Sequence, residues 1–298
     1  MKDKGILLLV ISLGILAIPS AVFMLNSRGY GWDTIGHIAE ADFYKAELAP
    51  GIYGWNSYFL FGYPFHLYPP LSRIVMAFLF GFFGFALASN LALVAFCMLT
   101  LVAVFVFLRN YGYKKEISGA VCVMAAVYMS TTALDRDFTV ANAFHLGMIG
   151  NFMALPLFFF ALAYFDRNLR LSALFSAIVV LTNMAIAIML MLSLFALVLL
   201  RISRFGLKDA IPRCIYLSAA VFCLSAFWLW PFASYMLLQN AKAVFDVPFS
   251  VSNIMRISMI GLASSAAVAY VAFNGKKLPK SAPQYACLLY TSPSPRDS

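Results

Sequence analysis

The sequence predicts an all-α protein that crosses a membrane several times, and three observations support this fold class. Hydrophobic residues make up 63% of the 298 residues, charged residues make up 11%, and the mean hydropathy is +0.88. Several apolar runs reach about 18 residues, which is enough for a helix to cross about 30 Å of hydrocarbon. The basic residues lie in short clusters between these runs, as in cytoplasmic loops. The net charge of +9 therefore does not indicate a nucleic-acid partner, and the lipid bilayer is the expected one.

The first apolar segment, 5–25, follows Lys2 and Lys4. A basic start before an apolar stretch is common to signal peptides and signal anchors. Because this stretch has about 21 residues and further spans follow it, we expect an uncleaved anchor with a cytoplasmic N-terminus. Cleavage near Ser20–Ala21 is the alternative.

The other apolar segments are the remaining candidate spans, and two of them leave the path of the chain open. They are 70–87, 90–108, 117–134, 148–165, 171–200, 214–236 and 253–273. Segment 171–200 would be about 45 Å long as one straight helix, so "LTNM" around Asn183 offers a turn between two short helices. Segment 70–87 follows Pro69 and carries Arg73, so it either crosses the membrane or lies along its surface.

The distribution of Lys and Arg distinguishes the two arrangements. If 70–87 stays at the surface and 171–200 forms a pair, fourteen basic residues lie inside and six outside. If 70–87 crosses and 171–200 is one span, ten lie on each side. The positive-inside rule favours the first arrangement. It predicts about eight crossings, two of them short, with outer loops at 26–89, at 135–147 and near 237–252.

This topology is assigned from Lys and Arg alone, but it also places the histidines and most of the acidic residues on one side of the membrane. All histidines and most acids fall outside, namely His37, His66, His145, Asp33, Glu40, Asp42, Glu47, Asp135, Asp137 and Asp246. The acids that remain inside lie in basic loops and are expected to be solvated; they are Asp3, Glu116, Asp166 and Asp209. The five cysteines have neither disulfide nor metal-site spacing.

Residues 33–47 of the first outer loop predict an amphipathic helix on the membrane surface. One stripe is polar, with Asp33, His37, Glu40, Tyr44 and Glu47 at helical spacing, and another is apolar, with Ile35, Ala39, Phe43 and Ala46. In one interpretation the polar stripe faces water and Asp33 caps the helix. In the other the stripe belongs to a functional site, together with the second acidic cluster and the other histidines.

The same loop continues as "GIYGWNSYFLFGYPFHLYPPL", in which Gly and Pro exclude a long regular helix. Aromatic residues fill the intervals between them. They form either a belt at the headgroup level or a platform that stacks on a sugar or lipid headgroup. Trp55, His66 and Tyr68 are the candidate contacts in this stretch.

These motifs carry a resemblance to a known class. "GWDTIGHIAEADFYKAEL", Trp55 and "LFGYPFHLYPPL" resemble the first outer loop of GT-C membrane glycosyltransferases. The likeness is greatest to a prokaryotic membrane-protein family labelled "6-pyruvoyl-tetrahydropterin synthase-related domain", although nothing here matches the zinc-binding histidines of the soluble pterin enzyme. It covers roughly residues 1 to 240, and its specific part is the spacing of Asp33 and His37 with the Gly-Tyr-Pro and Tyr-Pro-Pro-Leu turns.

The resemblance implies a glycosyltransferase at the extracytoplasmic face that uses a polyprenyl-phosphate-linked sugar. Asp33 would act as general base beside His37. Asp135 and Asp137 would hold Mn²⁺ or Mg²⁺ with His37, and a metal-free mechanism is equally open. Arg136 and Arg73 would bind phosphate, with His66, His145, Tyr68 and Trp55 as further substrate contacts. The family often has Glu and His where this sequence has Asn151 and Asn183, which opens the alternative of an inactive scaffold.

A transporter whose outer acids attract cations is a third alternative, but no clear ionisable residue lies near the middle of a predicted span. We assign residues 1–286 to one GT-C-like transmembrane domain of the cell membrane. The end of the chain, 287–298, reads "CLLYTSPSPRDS" and resembles adapter-derived read-through. We expect the natural protein to continue beyond this fragment and exclude the tail from the fold.

Overall fold

A computed structural model describes residues 3–26, 34–46, 55–56, 63–64, 69–131, 139–238 and 251–275. Ten helices lie in these ranges. They are α1 (Lys4–Asn26), α2 (Thr34–Ala46), α3 (Leu71–Phe83), α4 (Phe85–Asn110), α5 (Lys115–Met129), α6 (Ile149–Tyr164), α7 (Leu169–Thr182), α8 (Met184–Phe205), α9 (Leu207–Leu238) and α10 (Val251–Asn274). A helical turn (Val140–Asn142) and a π-helical turn (Ala143–Gly147) precede α6. Two-residue strands, β1 (Trp55–Asn56) and β2 (Tyr63–Pro64), pair antiparallel.

The all-α prediction is confirmed, and the composition of the helices indicates an integral membrane protein. Four described stretches are long and apolar enough to span a bilayer: Lys4–Asn26, Phe85–Asn110, Met184–Phe205 and Leu207–Ser234. The shorter apolar helices are Leu71–Phe83, Ile149–Tyr164, Leu169–Thr182 and Gly261–Asn274.

Hydrogen bonds define one end of the helical bundle, which we call the Asp166 end. The Asn110 amide donates to the Ala163 carbonyl at 3.0 Å, so the C-termini of α4 and α6 lie together. The Tyr113 hydroxyl donates to the Val271 carbonyl at 3.0 Å, which places the C-terminus of α10 there too. Lys115 pairs with Asp3, so α1 and α5 both begin at this end.

The opposite end, which we call the His37 end, collects the other helix termini. The Asn90 side chain donates to the Met24 carbonyl at 3.4 Å, so the end of α1 lies beside the start of α4. Phe144, just before α6, lies 6.1 Å from Phe23 between ring centroids. Helices α1 and α5 therefore run from the Asp166 end towards the His37 end, and α4 and α6 run back.

Helices α7 and α8 form a hairpin that breaks at Asn183. The backbone of Asn183 is extended, with φ −157° and ψ 121°, between the last residue of α7 and the first of α8. Arg201, near the end of α8, forms an ion pair with Asp166, just before α7 begins. Both outer ends of the hairpin lie at the Asp166 end, so the predicted break of segment 171–200 into two helices at "LTNM" is confirmed. The prediction that both are short is wrong, because α8 has 22 residues and is long enough to span a bilayer.

Helix α3 covers the predicted segment 70–87 only as far as Phe83, because the chain turns at Gly84 with a left-handed φ of 70°. Its 13 residues span about 20 Å. Ser72 in its first turn lies close to Gly150 at the start of α6, and Gly84 leads directly into the first turn of α4. Both ends of α3 thus lie at the His37 end of the bundle.

Candidate active site at the His37 end

Helix α2 turns its polar stripe towards the protein. Glu40 and Tyr44 are 7% and 2% exposed, whereas Ile35 on the apolar stripe is 62% exposed and Ala39 is also exposed. The interpretation in which the polar stripe faces water is therefore wrong for its described central residues. The physical reason is that α3 offers a buried cation to which Glu40 binds.

That cation is Arg73, which is 6% exposed in the first turn of α3. Its Nε donates to Oε2 of Glu40 at 2.6 Å, and its Nη1 donates to Oγ of Ser72 at 2.8 Å. Burial raises the pKa of the Glu40 carboxyl, but Arg73 and His37 outweigh burial and hold the pKa below its usual value. The pair is therefore ionised at neutral pH.

His37 stands next to this pair. Its Nδ1 lies 3.8 Å from Oε2 of Glu40, which is too long for a hydrogen bond but within range of an electrostatic contact. Unlike Glu40, its side chain retains 23% exposure. The predicted site residue thus lies at the rim of the buried ion pair, where it can meet both the protein and an incoming ligand.

A small pocket opens beside these residues and is lined by His37, Ser72, Arg73, Met76, Ile149 and Gly150. It lies where the first turns of α3 and α6 meet, and neither helix has a side-chain cap at its N-terminus. The first backbone N–H groups of a helix have no intrahelical acceptor and carry the positive end of the helix dipole. The Arg73 guanidinium adds a formal positive charge to this otherwise mostly apolar pocket.

Asn151 and Asn183 tie the start of α6 to the break in the hairpin. The Asn183 side chain donates from Nδ2 to Oδ1 of Asn151 at 2.5 Å, and its Oδ1 accepts from the backbone N–H of Ile186 at 3.0 Å. The prediction that Asn183 caps a helix is confirmed. A Cβ on Gly150 would lie 3.6 to 3.8 Å from atoms of Thr182, Asn183 and Ser72, so these segments converge at the pocket.

The remaining predicted site residues are only partly placed. His145 is exposed on the π-helical turn at the His37 end, but it does not line the pocket. The positions outside the described residues are Asp33, His66, Tyr68, Asp135, Arg136 and Asp137, and also the side chain of Trp55, of which the structure describes the backbone. Among the side chains that the structure describes, no group of three or more His, Cys, Asp and Glu could hold a metal ion.

The Asp166 end contains a second ionic group, which the sequence interpretation missed. Arg201 is 2% exposed in its side chain and contacts both Asp166 and Asp209, and Nε of Arg213 lies 3.9 Å from Oδ2 of Asp209. The expectation of solvated acids is therefore wrong for Asp166, which is 8% exposed, and Asp209 is paired and partly buried. Nothing in the one-dimensional pattern shows that the α6–α7 turn packs against the ends of α8 and α9.

Comparison of this chain with protein families, with curated proteins and with solved structures finds no match. The placement of the candidate site therefore rests on the geometry of the His37 end.

Proposed function

We propose that the protein is a GT-C-like membrane glycosyltransferase that transfers a sugar from a polyprenyl-phosphate-linked donor. The observation that carries this proposal is the inward polar face of α2, which meets buried Arg73 beside a pocket at one end of a membrane bundle. A site at this place is open to a ligand whose apolar chain lies in the bilayer and whose phosphate lies at its surface. Arg73 and the first turns of α3 and α6 supply donors for the phosphate.

In the proposed reaction, an acceptor hydroxyl oxygen bonds to the anomeric carbon of the sugar as the carbon–oxygen bond to phosphate breaks. Asp33 takes the hydroxyl proton, and the polyprenyl phosphate leaves with the bonding electron pair. His37 orients the reacting groups from the rim of the pocket. If a metal takes part, Asp135, Asp137 and His37 would hold Mn²⁺ or Mg²⁺, which would neutralise charge on the departing phosphate.

The proposed topology has eight crossings and places the His37 end outside the cytoplasm. In this arrangement α1, α4, α5, α6, α7, α8, α9 and α10 each cross the membrane. The charge distribution supports it, because most basic residues lie in the segments that meet at the Asp166 end. Helices α2 and α3 would then lie in the outer interface, with Ile35 and Phe78 exposed towards lipid.

The contact between Asn151 and Asn183 bears on whether the proposed site is active. Both positions depart from the family's pattern, and the two side chains are in contact with one another. Two polar side chains that hydrogen-bond at one place in the fold are a plausible replacement for a Glu–His pair. The same contact favours the inactive scaffold as the second candidate function, because two amides supply neither a base nor a charge.

Sugar transfer by purified protein in vesicles tests the proposal. The donors are radiolabelled polyprenyl-phosphate hexoses, and native membrane extract supplies acceptors. We expect Asp33→Asn to lower transfer by about 100-fold or more, since general acid–base groups contribute about 10² to 10⁴ in rate. His37→Gln should also lower transfer, because His37 orients the reacting groups. Asp42→Asn is the matched control, because Asp42 is an exposed carboxylate on the same helix, and it should leave transfer unchanged.

Thiol labelling of variants without the native cysteines tests which side of the membrane each end of the bundle faces. A cysteine in place of the exposed Asp42 should react with an impermeant thiol reagent on intact cells, and one in place of the exposed Lys114 should not. Full transfer by both site variants would reject Asp33 and His37 as catalytic groups, and transfer by none of the proteins, wild type included, would support the scaffold. Ion flux through wild-type vesicles without transfer would support the transporter.

A further inference from the structure

We propose that Glu40 is an internal competitor for the ligand: it neutralises Arg73 in the unliganded protein, and the phosphate group of a polyprenyl phosphate takes its place. This inference rests on the proposed function for the identity of the ligand. It adds a regulatory device to that site, because the affinity for the anion is then set by how easily the Glu40 carboxylate is displaced.

The position of the ion pair relative to the pocket is the first argument. Among the described residues that line the pocket are Arg73, Ser72 and His37, whereas Glu40 is not one of them. The Glu40 carboxylate reaches the guanidinium from α2, and the pocket lies between His37 of α2, the first turn of α3, and Gly150 of α6. Arg73 therefore binds an internal anion and also borders a small pocket, at which a second anion would meet the same guanidinium.

Charge is the second argument. The buried Glu40–Arg73 pair is neutral, and Ser72 and Gly150 add donors without a formal charge. A phosphate that enters the pocket would bring a second negative charge to a guanidinium that already binds one. Two like charges within about 4 to 6 Å of each other are unfavourable, so the phosphate and the carboxylate compete for Arg73.

Burial is the third argument, because it makes the competition reciprocal. Removing a bound carboxylate from a buried guanidinium is strongly unfavourable, and an anion in the pocket would supply a replacement charge. Removal of the Glu40 charge should therefore destabilise the unliganded protein and at the same time strengthen the binding of an anion. A purely structural ion pair would give the first effect without the second.

Thermal unfolding of the full chain in detergent, titrated with farnesyl phosphate, tests this proposal. We expect Glu40→Gln to unfold at a lower temperature than wild type without the probe, and to be half-saturated at a probe concentration at least tenfold lower. Glu40→Asp retains the charge and should behave as wild type does in affinity. The double variant Glu40→Gln with Arg73→Gln should lose the response to the probe.

Farnesol and inorganic phosphate distinguish the sources of the effect. Farnesol should act on wild type and on Glu40→Gln at the same concentration. Inorganic phosphate should act on Glu40→Gln at a lower concentration than on wild type only if the anion binds without its lipid chain. Equal or weaker binding of farnesyl phosphate by Glu40→Gln would overturn the proposal. If Glu40→Gln does not fold alone, recovery during purification with farnesyl phosphate but not with farnesol supports the proposal, and no recovery with either overturns it.

This outcome is separable from the failure of the proposed function. The binding experiment requires no sugar transfer, and the transfer experiment does not involve Glu40. If Glu40→Gln binds farnesyl phosphate more tightly but wild type transfers no sugar, the proposal that Glu40 competes for Arg73 stands and the proposed glycosyltransferase activity is rejected. Transfer by wild type with unchanged binding in Glu40→Gln would do the opposite.

Discussion

The two ends of the bundle each hold a buried arginine bound to carboxylates, and their surroundings differ. At the His37 end, Arg73 binds one carboxylate and also lines a pocket. At the Asp166 end, Arg201 lies between Asp166 and Asp209, and its guanidinium is 4.8 Å from the ring centroid of Phe205. The first arginine borders a small pocket, whereas the second is enclosed by partners from its own fold.

The difference indicates that one buried arginine–carboxylate pair stabilises the fold and the other serves ligand binding. Arg201 connects the α6–α7 turn, the end of α8 and the start of α9, so its contacts fix the feet of the α7–α8 hairpin. Arg73 connects α2 to α3, two helices at one end of the bundle. An arginine that joins several helix ends is expected to serve folding. One that lies between a surface helix and a pocket is expected to serve binding.

Of the substitutions that compare the two ends, replacing Arg201 should lower the stability of the protein most. Arg201→Gln leaves Asp166 buried without its cation, and breaking a buried ion pair on one side costs about 3–5 kcal/mol. We expect little folded protein, measured as the monodisperse fraction in size-exclusion chromatography and as the unfolding temperature. The exposed Arg170 provides the control, and Arg170→Gln should resemble wild type. An Arg201→Gln protein as stable as this control would show that the ion pairs of Arg201 do not stabilise the fold.

Acid should have an intermediate effect that acts through Glu40. The folded-state pKa of Glu40 is lowered from the reference value of 4.5, so its ionised form stabilises the fold above the unfolded-state pKa. This contribution is lost as the pH falls through the folded-state pKa. As the pH is lowered from 6, the unfolding temperature of wild type should therefore fall further than that of Glu40→Gln. Parallel pH profiles for the two proteins would contradict the ionised pair.

The helices themselves could be predicted from the sequence, because hydropathy and span length are local properties. Segment 5–25 corresponds to Lys4–Asn26, and the break at Asn183 follows from a segment too long for one crossing. The start of α9 was placed too late, at 214 instead of Leu207. Its first turns carry Lys208, Asp209 and Arg213, which hydropathy treats as a loop although they form a helix.

The contacts of the candidate site could not be predicted in the same way. The spacing of His37, Glu40 and Tyr44 shows that they share a stripe, but not which side of α2 contacts the protein. That side is decided by Arg73, 33 residues from Glu40 in the chain. Burial of Asp166 likewise depends on Arg201, 35 residues away. Such pairings depend on tertiary packing, on which periodicity carries no information.

Replacing Asn183 should have the smallest effect and sharpens the comparison at the hairpin turn. Asn183→Ala removes both the cap on the Ile186 N–H and the bond to Asn151, and loss of an N-cap costs about 1 kcal/mol. We expect an unfolding temperature a few degrees below that of wild type, with the fold retained because Arg201 still holds the feet of the hairpin. Asn183→Asp keeps the capping oxygen but loses the donor to Asn151, so it should recover most of the stability. If it recovers none, the bond to Asn151 rather than the cap stabilises the turn, and the His37 end depends on a polar contact between helices.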